Sequence, residues 1–352
     1  MKKFLVWIAV AAALALCGAL GWNWLRDNKL SNFSQGAEIY VYPGAGLSEV
    51  TDLICAKTAV LSRKSLERSF DAKDVASYLK PGHYTISAGN SSVYVARMLN
   101  NGWQTPVKLT LSGNLRIKAN IAAKIASQML LDSATVHKAL CDDALLGKYG
   151  FSSATAFSLL IPDTYDVYWT DSVEVLLDRQ KAAWDEFWTE ENVAKARRLK
   201  MSRQQVSTLA SIVKGETNYE PEMPKVAGVY LNRLAIQMPL QADPTVAFCF
   251  DYKLNRVLNR HLQVESPYNT YKYRGLPPGP ICVPTKAALL AVLNADYGNG
   301  TDTPGADGNL YFCANADFSG THAFAKNLIQ HNANASAFRA ELNRRSAAKK
   351  KK

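Results

Sequence analysis

An uncharged run near the N-terminus places the strongest constraint on this chain. No charged residue occurs in the 22 positions from Phe4 to Leu25, which is about the length that a helix needs to cross roughly 30 Å of hydrocarbon. Trp7 and Trp24 lie near its two ends, as interfacial tryptophans do. A cleaved signal peptide is the alternative, but its apolar region is shorter, roughly 7 to 15 residues, and this run has no convincing A-x-A cleavage site. We therefore expect a membrane anchor.

The charges around this run predict its orientation. Lys2 and Lys3 precede it, and positive residues stay on the cytoplasmic side of a membrane. Everything after Arg26 is therefore expected outside the inner membrane, facing the periplasm. We therefore expect a protein that crosses the inner membrane once.

The net charge of +11 suits anionic surfaces of any kind, including wall polymers, phospholipid and nucleic acid. The chain shows no zinc finger and no basic-aromatic stripe of a nucleic-acid-binding module, and an exported domain rarely meets nucleic acid. We expect no nucleic-acid partner. Hydrophobic residues make up 48% of the chain and charged residues 20%, which is typical of a chain that folds around apolar cores.

The cysteines do not predict a metal site. Five of them follow the anchor without C-x-x-C or histidine-paired spacing, so we interpret them first as buried small apolar residues and only second as disulfide partners; they are Cys55, Cys141, Cys249, Cys282 and Cys313. No metal and no cofactor are expected.

The pattern of turns and periodicity predicts an α+β fold. Strands at 37–42 and 83–87 enclose two helical patterns at 47–61 and 72–79, which makes a small α+β unit that could pack as a LysM-like module. A helix at 92–100 and a strand at 106–111 follow, and the chain is then mostly helical from 120 to 217.

The second half combines a long helix, a loop and short elements. Residues 172–199 are predicted to form one amphipathic helix with Trp184 and Trp188 facing a core. Five prolines and two glycines make 264–284 a long ordered loop, of the kind that usually carries function. A helix at 285–293, a strand at 310–314 and a helix at 335–345 complete the prediction.

One helix carries the residue best suited to acid catalysis. Between Ser202 and Thr217 the apolar residues recur at i, i+3, i+4 and i+7, and Glu216 lies seven residues after Leu209, only about 20° further round the axis. Burial and the negative end of the helix dipole both disfavour its charge, so its pKa should rise. A carboxyl group that is still protonated near neutral pH can donate to the leaving oxygen of a glycosidic bond. We also expect Gly215 to let a ligand approach the backbone.

Other interpretations of these carboxylates stay open. Glu216 could be a solvated residue at a helix end, and we expect Glu220 and Glu222 to be ordinary surface charges. Most glycosidases use two carboxylates, and Asp243 is the one nearby acid that could serve as the partner. It could equally be a turn residue, because Asp-Pro often opens turns.

Four segments resemble a known family in sequence, order and spacing. LASIVKGET (209–217), VAGVYLNRL (226–234), LQADPTV (240–246) and PYNTYKYRGLPPGPI (267–281) resemble the YceG-like, or MltG, endolytic murein transglycosylases, as does LIPDTY at 160–165. The likeness covers essentially everything after the anchor. Among its departures, Lys214 stands where many relatives carry an acidic residue.

The resemblance implies a domain plan: a cytoplasmic N-terminus (1–3), an anchor (4–25), a linker (26–36), a LysM-like subdomain with an adjoining α+β segment (37–112), a helical connecting region (113–200), a mixed α/β catalytic domain (201–345) and a basic tail (346–352). It places the catalytic glutamate at Glu216. It places around the cleft Gln241, Asp243, Thr245, Tyr268, Asn269, Thr270 and Tyr271, whose amides, hydroxyls and rings suit sugars. Asn232 and Arg233 are as readily structural as ligands, and His322 fits a supporting hydrogen-bond donor better than a catalyst.

The implied activity is an endolytic lytic transglycosylase of peptidoglycan that terminates nascent glycan strands. Such an enzyme needs a single glutamate, since the C6 hydroxyl of N-acetylmuramic acid attacks its own anomeric carbon and closes a 1,6-anhydro ring. The implied partners are glycan strands and the membrane, with peptidoglycan synthases as candidates. A hydrolytic muramidase using Asp243 and a wall-binding scaffold without activity are the alternatives.

Overall fold

The computed structural model describes residues 2–350. The chain forms two compact units. Unit 1 runs to Leu109 and adds Gln128–Leu130 and Tyr165–Ser172, whereas unit 2 comprises Thr110–Ser127, Leu131–Thr164 and the chain from Val173 onward. The last two lysines of the predicted basic tail, Lys351 and Lys352, lie outside the described residues.

The first stretch of chain begins with a long apolar helix and continues with short helices and strands. In order, these are α1 (Lys2–Asn28), β1 (Ala37–Val41), α2 (Leu47–Lys57), α3 (Arg63–Ala72), α4 (Val75–Tyr78), β2 (Gly82–Ile86), α5 (Ser92–Asn101) and β3 (Val107–Thr110). The length and composition of α1 suffice to cross a membrane, and it is the one such helix among the described residues.

Unit 1 is built around a two-stranded antiparallel sheet. β1 pairs with β2, with Ala37 opposite Ile86 and Val41 opposite Gly82. The core between this sheet and the helices contains Ile54, Leu66 and Tyr84, all fully buried. The predicted strand, helix, helix, strand order is present, but α3 is an additional helix that the sequence analysis does not predict. Its N-terminus is stabilised by Ser62, whose side chain accepts from the Ser65 amide.

The residues that follow the apolar helix pack onto unit 1. Asp27 accepts hydrogen bonds from Ser65 and from the guanidinium of Arg68, the latter at 2.7 Å. Asn32 and Phe33 are almost fully buried. The segment that follows the apolar helix is therefore an ordered part of unit 1.

The remaining elements are mostly helical. They are α6 (Lys118–Ala126), α7 (Ser133–Ala139), α8 (Asp143–Gly147), α9 (Ala156–Leu159), β4 (Thr164–Val167), α10 (Val173–Phe187), α11 (Glu190–Arg198), α12 (Arg203–Glu216), a 3₁₀ helix (Glu220–Glu222), α13 (Met223–Ala235), α14 (Asp243–Cys249), a second 3₁₀ helix (Asn259–Gln263), α15 (Lys286–Leu293), β5 (Tyr311–Ala314), β6 (His322–Ala325) and α16 (Leu328–Lys350). β3 pairs with β4, and β5 pairs with β6 in antiparallel register.

The prediction of a single helix over 172–199 is wrong, because the helix is interrupted between α10 and α11. Thr189 caps α11 by accepting from the Asn192 amide, and this cap begins a new helix. The predicted inward face of the tryptophans is confirmed, since Trp184 and Trp188 are 3% and 5% exposed. Their rings lie 5.4 Å apart.

α12 is the central helix of unit 2 and packs against α13, α14 and α15. Residues 264–284 contain no helix or strand, as predicted for the loop, and the C-terminal helix is longer than predicted. Taken together, the described chain is the expected mixture of helices and strands behind one N-terminal apolar helix.

The cysteines partly differ from prediction. Cys282 is buried, but Cys141 is exposed, so the interpretation as buried apolar residues is wrong there. All six cysteines are free.

Candidate active site

Glu216 is the last residue of α12. The helix begins with a capping box, in which Ser202 and Gln205 each accept a hydrogen bond from the other's backbone amide. Its predicted apolar stripe is confirmed as buried, with Val206, Leu209 and Val213 at 0% exposure. The stripe ends at Glu216, whose side chain is only partly accessible to solvent.

The environment of Glu216 favours its neutral form. Burial raises the pKa of its carboxyl group from 4.5 to about 7, and the charge of Asp243 adds to the rise. A hydrogen bond of 2.6 Å, donated by the Tyr230 hydroxyl to Oε1, works in the opposite direction, as do the charges of His322 and Arg233. Burial prevails, so a large share of Glu216 carries a proton at neutral pH.

Tyr230 also decides which oxygen of Glu216 is available. Since the tyrosine hydroxyl already donates to Oε1, the proton of the neutral carboxyl group belongs on Oε2. Burial and the neighbouring Glu216 carboxylate both raise the pKa of Tyr230, and it therefore remains a hydrogen-bond donor.

Gly215 lets a neighbouring helix, rather than a ligand, approach α12. A Cβ atom at this position would lie 2.7 Å from the Cβ of Pro244 and 3.6 Å from Cδ1 of Ile281, and the first distance is below any ordinary contact. Our expectation of close ligand approach at Gly215 is therefore wrong. The glycine instead allows α14 to pack against α12, and this contact brings the start of α14, at Asp243, towards Glu216.

Asp243 and Tyr271 form a pair at the start of α14. The Tyr271 hydroxyl donates to Oδ1 of Asp243 at 2.6 Å. Asp243 is exposed, and Tyr271 is partly buried. Burial and the hydrogen bond to Asp243 raise the pKa of Tyr271. The charge of Asp243 raises the pKa of Glu216, and the charge of Glu216 raises the pKa of Tyr271. The three side chains are therefore close enough to interact electrostatically.

Three other predicted site residues lie inside the protein. Thr245, Asn269 and Thr270 are at most 1% exposed. The hydroxyls of Thr245 and Thr270 lie 2.8 Å apart, and the amide of Asn269 donates to the carbonyl oxygens of Leu262 and Val264. The threonine pair fastens the loop to α14, and Asn269 holds the loop to the segment just before it.

Gln241 and Tyr268 are the remaining predicted residues. Gln241 is exposed and has a left-handed backbone with φ of 51°. Its backbone N–H donates to the carbonyl oxygen of Thr270. The ring of Tyr268 packs 4.6 Å from that of Phe248. Tyr268 lines a cavity of about 450 Å³ that also includes Lys118.

Glu222 is a buried carboxylate near the site that its local sequence does not reveal. It is 6% exposed, and its oxygens accept from the backbone amide of His322 at 2.6 Å and from its Nδ1 at 2.7 Å. Our interpretation of Glu222 as a surface charge is wrong, whereas Glu220 is indeed exposed. No local pattern could have revealed the pair, because its members are 100 residues apart. The charge of His322 lowers the pKa of Glu216.

Asn232 and Arg233 have structural contacts. The amide of Asn232 donates to the carbonyl oxygens of Tyr297 and Asn309. The guanidinium of Arg233 donates to the carbonyl oxygens of Leu310 and Leu240, both at 2.7 Å. Arg233 forms no ion pair with any described residue. It holds β5 and the start of the 241–246 segment in place.

The site therefore offers one carboxyl group that titrates near neutral pH, an exposed second carboxylate and several aromatic hydroxyls. Among the described residues no group of three or more His, Cys, Asp or Glu side chains could hold a metal ion. This donor set suits proton transfer to and from an uncharged oxygen, as in the cleavage of a sugar ether bond.

Comparisons with known proteins agree with this chemistry. The model of the YceG-like family matches residues 39–337. An endolytic murein transglycosylase of Bacillus subtilis (strain 168) is 27% identical over 316 residues, which cover 84% of this chain and 82% of that protein. An endolytic murein transglycosylase of Streptococcus pneumoniae (strain D39) is 25% identical over 94% of this chain, which spans only 64% of the relative.

A solved structure is similar as well. The crystal structure of the yceG-like protein lmo1499 from Listeria monocytogenes matches with a TM-score of 0.54 and 25% sequence identity. The match covers 85% of this chain and 98% of the other.

Proposed function

Because this chain belongs to the YceG-like family, we propose that it is an endolytic lytic transglycosylase of peptidoglycan. It cleaves the β-1,4 bond between N-acetylmuramic acid and N-acetylglucosamine in nascent glycan strands and leaves a 1,6-anhydro end. The observation that carries the proposal is Glu216, a carboxyl group at a helix end whose pKa burial raises to about 7. The names of the relatives support the substrate class.

The reaction uses Glu216 twice. Its Oε2 proton passes to the bridging oxygen while the muramyl anomeric carbon acquires oxocarbenium character. The C6 hydroxyl then attacks that carbon and returns its proton to the carboxylate, so no water is consumed. Tyr230 orients the carboxyl group throughout, because its hydroxyl donates to Oε1.

The substrate-facing residues in this proposal are Gln241, Asp243, Tyr268 and Tyr271. The carboxylate of Asp243 stabilises the developing positive charge and, with the Tyr271 hydroxyl, offers hydrogen bonds to sugar hydroxyls. Thr245, Asn269 and Thr270 keep the loop in position from inside. No cofactor takes part.

A hydrolytic muramidase is the second candidate, favoured by the presence of Asp243 near Glu216. Mass spectrometry of the released fragments separates the two. A transglycosylase yields anhydromuramyl ends, and a muramidase yields reducing ends that are heavier by one water. Reducing ends as the main product would contradict the proposal.

A scaffold that binds the wall without cutting it is the third candidate. The test compares wild type with Glu216→Gln on purified sacculi, and Glu220→Gln serves as the matched control because Glu220 is exposed four residues away. We expect fragments from wild type and the control only. Fragments from Glu216→Gln, or none from wild type, would refute the assigned role of Glu216.

The remaining parts of the proposal concern placement. We propose that α1 spans the inner membrane, which its length and apolar composition support, and that the chain after Arg26 lies in the periplasm. The pairing of β1 with β2, which enclose α2, α3 and α4 in the sequence, supports a LysM-like subdomain within 37–112. The division into a connecting region (113–200) and a catalytic domain (201–345) stays a prediction, as do the role of terminating strands and association with peptidoglycan synthases.

A further inference from the structure

A cationic cavity lies beside the end of the helix that carries Glu216. It has a volume of about 340 Å³, and its polar lining comes from Asn114, Arg116, Lys214 and Asn218, with Cys282 at its base. None of the described residues that line it is acidic. Lys214 precedes Glu216 by two residues, about 200° round the helix axis. The cavity therefore lies on a different face of α12 from the carboxyl group.

Arg116 in this cavity has no anionic partner among the residues that the structure describes. Its side chain is partly buried, and its guanidinium lies 5.0 Å from the ring centre of Tyr252. Tyr252 is itself held by a hydrogen bond to the carbonyl oxygen of Ile281 at 2.7 Å. Within residues 2–350 the guanidinium makes neither a hydrogen bond nor an ion pair. Guanidinium groups carry five N–H donors and are normally paired when they are partly desolvated. An anionic ligand would supply the missing acceptor.

Lys214 and Asn218 add further donors. The Lys214 ammonium donates to Oδ1 of Asn218 at 2.6 Å, which leaves two ammonium protons and the amide nitrogen of Asn218 for a ligand. Burial raises the pKa of the Cys282 thiol, and the charges of Arg116 and Lys214 oppose that rise. The positive charges of Arg116 and Lys214 are therefore both felt at Cys282, which lines the cavity.

The backbone around the cavity is fixed before a ligand arrives. The amide of Val283 donates to the carbonyl oxygen of Leu115 at 2.9 Å, which ties the segment containing Arg116 to the proline-rich loop. Cys282 donates to the carbonyl oxygen of Ser211 on α12. The segments that supply Arg116 and Lys214 are thus held together, and such a preorganised donor set binds an anion at little entropic cost.

We propose that this cavity binds a carboxylate of the peptide stems that peptidoglycan glycan strands carry. The inference rests on the proposed function and deepens it by naming a second point of substrate recognition. The sugar rings of the strand are uncharged, whereas the stems bear carboxylates. A stem of four or five residues extends roughly 13 to 18 Å, and the path round half of a helix about 10 Å across is about 16 Å. An extended stem on a muramyl residue bound at Glu216 is therefore long enough to reach the far side of α12. The cavity selects strands with intact stems.

The test compares two substrates with the purified full chain in detergent. One is native glycan strands with stems, and the other is the same strands after their carboxyl groups are converted to methylamides. We expect kcat/KM of wild type to fall about tenfold on the neutralised strands, mainly through a higher KM, as for the loss of one charge-assisted contact. The double variant Arg116→Gln/Lys214→Gln should have, on both substrates, the low kcat/KM that wild type shows on the neutralised strands.

The control is Arg179→Gln, which removes one positive charge from an exposed position on α10. We expect it to distinguish the two substrates as wild type does. Equal wild-type rates on both substrates would overturn the proposal, and this arm requires no variant. So would a double variant that keeps the tenfold preference, because the anion would then bind elsewhere. Absence of fragments in every arm, native strands included, would instead refute the proposed function and this inference with it.

Discussion

Replacing Glu216 with glutamine should stabilise the protein, and the gain should grow with pH. Burial raises the pKa of Glu216 from 4.5 to about 7, so the folded chain keeps a proton that the unfolded chain loses as the pH rises above 4.5. Between these values the unfolded state binds fewer protons than the folded state, and the stability of wild type therefore falls as pH rises through this window. Glutamine is neutral at every pH, and its amide oxygen can still accept from Tyr230.

The magnitude follows from the shift. A rise of about 2.5 pKa units at about 1.36 kcal/mol each costs wild type about 3.4 kcal/mol well above pH 7. At pH 5 the cost is about 0.8 kcal/mol, because the unfolded carboxyl group is then only partly ionised. The stability advantage of Glu216→Gln over wild type should therefore grow by about 2.5 kcal/mol between pH 5 and pH 8.

Urea denaturation of the full chain in a mild detergent measures this difference, followed by tryptophan fluorescence, to which Trp184 and Trp188 contribute from unit 2. Glu220→Gln removes an exposed carboxylate from the next segment and should show no comparable growth with pH. An advantage of Glu216→Gln that is equal at both pH values would refute the reasoning, since the carboxyl group would then ionise as in the unfolded chain.

Three further substitutions test the surroundings of Glu216. Asp243→Asn removes a charge that raises the pKa of Glu216, so the decline of fragment release at alkaline pH should begin at a lower pH in a pH–rate profile. Glu222→Gln removes the charged acceptor of both His322 hydrogen bonds and should lower the free energy of unfolding by about 2 kcal/mol in urea. Gly215→Ala places a Cβ atom 2.7 Å from a proline side chain; overpacking should cost about 1 to 3 kcal/mol in thermal unfolding and slow fragment release.

Each of these three has its own control or contrary outcome. An unchanged pH–rate profile in Asp243→Asn would show that its charge does not reach Glu216. A wild-type unfolding curve for Glu222→Gln would show that the buried pair is not needed for stability. Gly147→Ala controls for Gly215→Ala, because it adds the same atom to another helix with nothing within 4 Å, and equal effects of the two would contradict the packing argument.

Local periodicity predicted the helix of Glu216 well. α12 runs from Arg203 to Glu216 against an expected span of 202–217, because its apolar spacing and its capping residues agree over a short distance in sequence. The same kind of evidence failed at 172–199, where the cap at Thr189 outweighs a periodicity that continues through it. It also could not separate Gln241, which is exposed, from Thr245, which is buried.

The sequence by itself determined the long apolar N-terminal helix, the mixed helix and strand composition, and the position of a carboxyl group at the end of a buried stripe, since each depends on neighbours along the chain. Only the tertiary structure decided what surrounds that carboxyl group. Tyr230 is 14 residues away, and the Glu222–His322 pair joins residues 100 apart. That no described acidic side chain pairs with Arg116 is likewise a property of the packed chain. Desolvation and hydrogen bonding depend on distance in space, and these distances exist only after the helices have packed.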